Sequence, residues 1–130
     1  MILKILIDTH FLIWAAQNKL PSKSLIYFNN LNNELFFSPI NIFEIVIKYN
    51  LRKKDFNINP LYLYDNLLMA GYKELLINSK HSLFVNNLPN IHYDPFDRLL
   101  IAQSICENMY FLTCDIKVKK YPGNIIFISK

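Results

Sequence analysis

The sequence predicts an α/β fold in which a parallel sheet of about five strands is covered by helices on both sides, in three layers. Three observations predict it. Short runs that are apolar at successive positions recur along the chain, as strands buried on both faces require. These runs alternate with longer segments that open on helix-capping residues. Hydrophobic residues make up 52% of the 130 and charged residues 18%, enough apolar material for a packed core and for one domain spanning 1–130.

The elements follow in order. Residues 2–7 form a continuous apolar strand, and 9–17 continue as a short helix containing Trp14. Ser22 opens a second helix with the apolar set Leu25, Ile26, Phe28 and Leu31. After a short strand at 35–37, Ser38-Pro39 reads as an N-cap with proline in the first turn, starting a helix to about residue 51. Asn59-Pro60 starts another, running to Gly71. A strand at 74–77 and a short helix at 79–86 precede Asp94-Pro95, which opens the clearest helix, ending near Asn108. Strands at 110–112 and 125–127 complete the sheet, and no internal repeat is present.

Composition excludes several functions. The two glycines, Gly71 and Gly123, cannot build a dinucleotide-binding or P-loop motif. Cys106 and Cys114 lack the spacing of a zinc motif or a disulfide framework. The N-terminal apolar run is broken by Lys4 and halted by Asp8, too short for a signal peptide or membrane span, so a cytoplasmic location is expected. A net charge of +4 permits a nucleic-acid partner without requiring one.

In parallel sheets, functional residues gather past the carboxyl ends of the strands. Asp8 and Asp115 fall there, and Glu44 and Asp97 lie near the starts of two helices. Four such acids suggest a carboxylate cluster whose repulsion a divalent cation would neutralise, and oxygen ligands suit Mg²⁺ or Mn²⁺. Each acid also has a plainer reading. Asp8 can cap the helix that follows it. Glu44, with Asn41 three before and Lys48 four after, can belong to an exposed polar stripe with a Glu–Lys pair. Asp94 can be the N-cap of its helix with Asp97 an acid at N3, and Asp115 can be a loop aspartate.

Four blocks of the chain resemble a known family. The run Ile7-Asp8-Thr9-His10-Phe11-Leu12-Ile13-Trp14 is similar to the opening of VapC-type PIN domains, where a strand-end Asp precedes a Thr and an apolar helix. The stretch from Ser38 through Glu44 to Lys48 resembles the second block, and Asp94-Pro95-Phe96-Asp97-Arg98-Leu99-Leu100-Ile101-Ala102-Gln103 is the most specific match. Leu112-Thr113-Cys114-Asp115 followed by Tyr121 resembles the closing block. The resemblance implies a PIN-like fold and a metal-dependent endoribonuclease, the toxin of a type II toxin–antitoxin pair. It implies metal-site and catalytic acids at Asp8, Glu44, Asp97 and Asp115, with Mg²⁺ or Mn²⁺ as cofactor. Thr113 would line the pocket, and Asp94 is a supporting residue that fits a cap better than a ligand. A homodimer and a cognate antitoxin are implied as partners.

Arg98, Lys117, Lys119 and Lys120 are candidate contacts for the RNA backbone, as surface cations beside the site. Arg52-Lys53-Lys54 suits a favourable charge at the end of the Glu44 helix. His10, His81 and His92 are too scattered to suggest a two-histidine ribonuclease. The segment 56–69 carries more apolar surface than one helix needs for a core, so part of it is expected to be exposed and covered by an antitoxin or a second copy. Two alternatives come from other classes. One is a PIN-fold binding module that no longer cleaves. The other is a phosphatase or receiver-type phosphotransfer domain, which the absence of Asp-x-Asp after the first strand disfavours.

Overall fold

The computed structural model describes residues 2–51 and 56–129. The strands are β1 (Lys4–Ile7), β2 (Glu34–Phe37), β3 (Lys73–Glu74), β4 (Tyr110–Thr113) and β5 (Asn124–Phe127), joined into one parallel sheet in the order β3-β2-β1-β4-β5. The helices are α1 (Thr9–Ala16), α2 (Leu25–Phe28), α3 (Pro39–Asn50), α4 (Pro60–Met69), α5 (Ser79–Phe84) and α6 (Pro95–Cys106). Short 3₁₀ turns at Ser22–Ser24, Val85–Asn87 and Val118–Lys120 complete the elements. Arg52, Lys53 and Lys54 lie outside the described residues.

Side chains alternate across the sheet, so each strand feeds two cores. Ile5 and Ile7 of β1 join Phe37 and Leu112 beneath Phe11 and Leu12 of α1, Ile45 of α3, and Leu63 and Leu67 of α4. Leu6, Phe36 and Phe111 point the other way, against Leu100, Ile101 and Ala102 of α6. Because β1 is central, its three inner residues are completely buried.

Helix boundaries follow cap chemistry. Asp8, Ser38, Asn59, Asn78 and Asp94 cap α1, α3, α4, α5 and α6, and Pro39, Pro60 and Pro95 occupy the first turn of α3, α4 and α6. Asn18, Gly71 and Asn108 take positive φ just past α1, α4 and α6, where the chain must turn out of the helix.

Two expectations need correction. The helix from Ser22 is a 3₁₀ turn followed by a single turn of α2; Ile26 is 72% and Leu31 99% exposed, so the expected apolar set does not form one buried face. The run Asn29, Asn30, Asn32 and Asn33 favours turns over helix, and the side chains of Asn30 and Asn33 accept backbone bonds from Asn32 and Leu3. The strand expected at 74–77 is only Lys73–Glu74. Leu75 still donates to Phe37 O at 2.7 Å, but β2 then turns into α3 and offers no further partner.

Gly123 holds φ +103° just before β5, and a Cβ there would lie 2.9 Å from Cγ1 of Ile105 on α6. Gly71 has a similar φ of +92° with open space around it. Gly123→Ala should therefore cost more than ~1 kcal/mol, and more than Gly71→Ala, which feels the backbone strain alone. Urea unfolding of both variants measures the difference; equal losses would remove the clash from the explanation.

Candidate active site

From β1 the chain builds outward to β2 and β3, then returns to place β4 and β5 on the other side. The carboxyl ends of β1 and β4 therefore diverge at the point where strand order reverses, which opens a crevice. Asp8 follows β1 there, Thr113 ends β4, and Asp115 lies two residues on. Thr113 joins them. Its hydroxyl donates to Asp8 Oδ2 at 2.7 Å, across 105 residues of sequence, and accepts from the Asp115 N–H at 3.1 Å. Asp8 also caps α1, with Oδ1 accepting from His10 N at 3.2 Å.

Glu44 reaches the same crevice from α3. The polar stripe that looked solvent-facing points inward at Asn41, which is fully buried. Asn41 accepts from Ser38 N at 2.7 Å, closing a capping box, and donates to Ile7 O at 3.1 Å and to Thr9 Oγ1 at 2.9 Å. Thr9 then donates to Glu44 Oε1 at 2.7 Å. Glu44 is thus on the same face as Asp8, and no Glu44–Lys48 ion pair forms among the described residues.

The third contribution comes from the start of α6. Asp94 is the N-cap: its Oδ1 accepts from Phe96 N at 2.9 Å and Asp97 N at 3.3 Å. Asp97 points from the first turn to His92, whose Nε2 lies 3.0 Å from Asp97 Oδ2 and 3.5 Å from Asp115 Oδ2. The segment bearing His92 is held by Arg98 and Tyr121. Tyr121 Oη accepts from His92 N at 2.8 Å and donates to His92 O at 3.0 Å. Arg98 Nη1 donates to Pro89 O, His92 O and Tyr121 Oη, and Nη2 donates to Val85 O.

Arg98 therefore does not fit the role of a backbone contact for RNA, since its guanidinium is committed to carbonyls of its own chain. Lys117, Lys119 and Lys120 are exposed, and the Lys119 ammonium sits over the Phe127 ring at 5.2 Å. His10 and His92, read from sequence as scattered, both stand against the acids; His10 Nδ1 is 3.5 Å from Asp8 Oδ1. His81 is elsewhere, buried, with Nδ1 accepting from Asn78 N and Nε2 2.8 Å from Glu107.

The charges feel one another. Burial pushes the Asp97 carboxyl up to about 8, and Asp8, Asp94, Glu44 and Asp115 all push in the same direction. Burial, and then Asp8 and Asp94, likewise raise Glu44 against the lowering effect of the Thr9 hydrogen bond. The hydrogen bond to Asp8 raises His10. Carboxylates whose charges raise Asp97 and Glu44 fit a hard divalent cation, whose charge offsets the repulsion and whose preferred donors are oxygens. Among the described residues, His92, Asp94 and Asp97 each offer a ligand atom within 4.8 Å of the others, so part of this crevice could hold an ion. A cavity of about 440 Å³ among Leu20, Phe28, Asn33, Leu35 and Tyr72 lies beside the amino ends of β2 and β3 and contains no acid.

The family profile described as the PIN domain matches residues 5–124, which include every acid of the crevice. The chain belongs to the PIN domain family. Its fold is shared with chains of solved complexes. VapBC2 from Rickettsia felis, bound to a DNA fragment from its promoter, aligns at TM-score 0.71 with 20% identity over 98% of each chain. DNA-bound VapBC from Salmonella typhimurium aligns at 0.71 with 16% identity, covering 96% of this chain and 98% of that one. VapBC-1 from nontypeable Haemophilus influenzae aligns at 0.65 with 18% identity over 91% of each. No curated protein matches the chain. PIN membership sets aside the phosphotransfer alternative.

The raised groups carry a pH dependence. Asp97 titrates near 3.8 in the unfolded chain and near 8 when folded without metal, so the native state binds more protons in between. Stability of the metal-free protein should fall as pH rises through that window, and the raised Glu44 and His10 act in the same direction. Thermal melts in chelator should show the decline, and Asp97→Asn should flatten it. A metal-free stability that rises over the same range would contradict the crowding.

Proposed function

We propose that this PIN domain is a VapC-type toxin, an endoribonuclease that hydrolyses RNA phosphodiester bonds with Mg²⁺ or Mn²⁺. The observation that carries this reading is the convergence on Asp97: burial first, and then the charges of Asp8, Asp94, Glu44 and Asp115, raise its carboxyl to about 8. A surface built only for binding gains nothing from such crowding. The resemblance of four sequence blocks to VapC, and the fold shared with VapBC chains, support the same reading.

A divalent cation held by Asp8, Glu44, Asp97 and Asp115 would lower the pKa of a bound water and offset charge on the phosphoryl oxygens. The protein's part is orientation. Thr113 fixes the rotamer of Asp8 through Oδ2, and Thr9 fixes Glu44 through Oε1. A proton is held between Asp97 Oδ2 and His92 Nε2 at 3.0 Å in the metal-free site. The exposed Lys117, Lys119 and Lys120 follow Asp115 directly and can take the RNA backbone. We infer no role there for Arg98.

A partner surface accompanies the site. In α4, Leu63 and Leu67 face the core, while Leu61, Tyr62 and Met69 are 67%, 71% and 84% exposed. An apolar face of this kind suits the cognate antitoxin or a second copy of the chain. Tyr62→Glu should weaken antitoxin capture or self-association in sedimentation and leave the melting temperature nearly unchanged; unaltered association would assign this face no partner.

Long single-stranded RNA incubated with Mn²⁺ or Mg²⁺ tests the activity, cleavage appearing with metal and vanishing with chelator or in Asp8→Asn. Absence of metal-dependent cleavage in the intact protein would leave a binding module. The two aspartates that flank Pro95 should separate. Asp94→Ala removes a cap and should cost ~0.5–2 kcal/mol of stability while keeping much of the cleavage rate. Asp97→Ala should lose cleavage with its metal-free stability kept or raised, because a crowded buried acid is removed. Equal loss of cleavage in both, at unchanged stability, would make Asp94 a metal-site residue rather than a cap.

A further inference from the structure

We propose that Asp8, His10 and Cys114 form a second cation site, selective for a thiophilic ion of the Zn²⁺ class, that shares Asp8 with the acid crevice and so acts as an inhibitory site. One ligand atom from each of the three residues lies within 4.8 Å of the others. The grouping follows from the sheet. Ile7 is paired with Leu112, which sets Asp8 level with Thr113 and one residue short of Cys114, and His10 lies in the first turn of α1.

The chemistry of the three donors differs from that of the crevice. Nitrogen, sulfur and a single carboxylate oxygen suit Zn²⁺, whose bonds of about 2.0–2.3 Å span donors a little over 3 Å apart. His10 Nδ1 and Asp8 Oδ1 are already 3.5 Å apart. A thiolate is a poor ligand for Mg²⁺, so the ion that suits the crevice is a poor competitor here. His10 is half-exposed and Cys114 partly buried, so the group is open to solvent on the His10 side. When the ion binds, the Cys114 thiol loses its proton to solvent and one Zn–S bond forms, with no change of oxidation state.

The consequence for activity rests on the nuclease reading above; the binding itself does not. Asp8 Oδ1 turned to Zn²⁺ is withdrawn from the carboxylate set that would hold Mg²⁺ or Mn²⁺. The first measurement uses Co²⁺ as a spectroscopic stand-in on the intact protein. A thiolate-to-cobalt charge-transfer band should appear, be displaced by Zn²⁺, and vanish in Cys114→Ser. The second measurement is competition for Zn²⁺ against a chromophoric chelator. His10→Ala, at an exposed position, should weaken Zn²⁺ by at least the ~10-fold that loss of an outer-shell partner costs elsewhere. It also serves if Cys114→Ser fails to fold. In cleavage assays with Mg²⁺, the Zn²⁺ concentration that halves the rate should rise by the same factor in His10→Ala. No thiolate band, or a band kept by Cys114→Ser and so owed to Cys106, overturns the site. A band with no RNA cleavage under any metal would sustain the site and overturn the nuclease reading instead.

Discussion

Like-charge repulsion among five carboxylates is the constraint around which this molecule is arranged. Asp8, Glu44, Asp94, Asp97 and Asp115 meet at one edge of the sheet, and among the described residues no lysine or arginine forms an ion pair with any of them. The stabilising contacts are neutral donors or histidines: the hydroxyls of Thr9 and Thr113, backbone N–H groups at helix starts, and the imidazoles of His10 and His92. Arg98 comes close in sequence but is spent on carbonyl oxygens. The chain carries a net charge of +4, yet among the described residues its lysines and arginines form no ion pair with these acids. That arrangement leaves the crevice negative, at the cost of a less stable fold at high pH.

Holding mutually repelling groups in place takes rigid supports. Asn41 supplies one. Its fully buried amide ties the N-terminus of α3 to the end of β1 and orients Thr9, which in turn orients Glu44. Thr113 supplies another, linking β1 to the loop after β4. Arg98 and Tyr121 supply the third by fixing both the N–H and the carbonyl of His92. Each support is a polar side chain with partners on two segments, so the crevice is assembled only when the sheet and both helix layers are in place. The site reports on the tertiary fold rather than on any one element.

This explains which parts were legible in the sequence. The parallel sheet and the long helices were, because doubly buried strands and Pro-led caps such as Ser38-Pro39 and Asp94-Pro95 are local signals. The acids were legible as candidates because strand ends can be read without knowing which strands are neighbours. Asn41, Thr9 and His92 were not. Asn41 sits in a polar stripe whose periodicity says nothing about whether it faces water or a neighbouring helix. His92 precedes α6 in a segment without periodicity, and its bonds to Tyr121, 29 residues on, and to Arg98 hold it where its ring meets Asp97. The region after Phe28 failed for the opposite reason: apolar spacing suggested a helix, but the asparagines there found turn partners that a spacing pattern cannot register.

The capping aspartates also bring their charge to the crevice. A carboxylate has two oxygens. Asp8 accepts the cap bond from His10 N on Oδ1 and the Thr113 hydroxyl on Oδ2. Asp94 takes both its cap bonds on Oδ1, so the cap contacts leave Oδ2 free while its charge still bears on Asp97 and Glu44. The helix start that needs the acid as a hydrogen-bond acceptor also tolerates its charge, since the exposed N–H groups of the first turn are electropositive. Caps are therefore a low-strain way to bring carboxylates to one edge of a parallel sheet: α1 and α6 each start there, and each brings an acid whose retention is favoured by local structure. Glu44 is the exception. It lies beyond the first turn of α3, has no helix terminus to stabilise it, and depends on the Thr9 hydroxyl in its place.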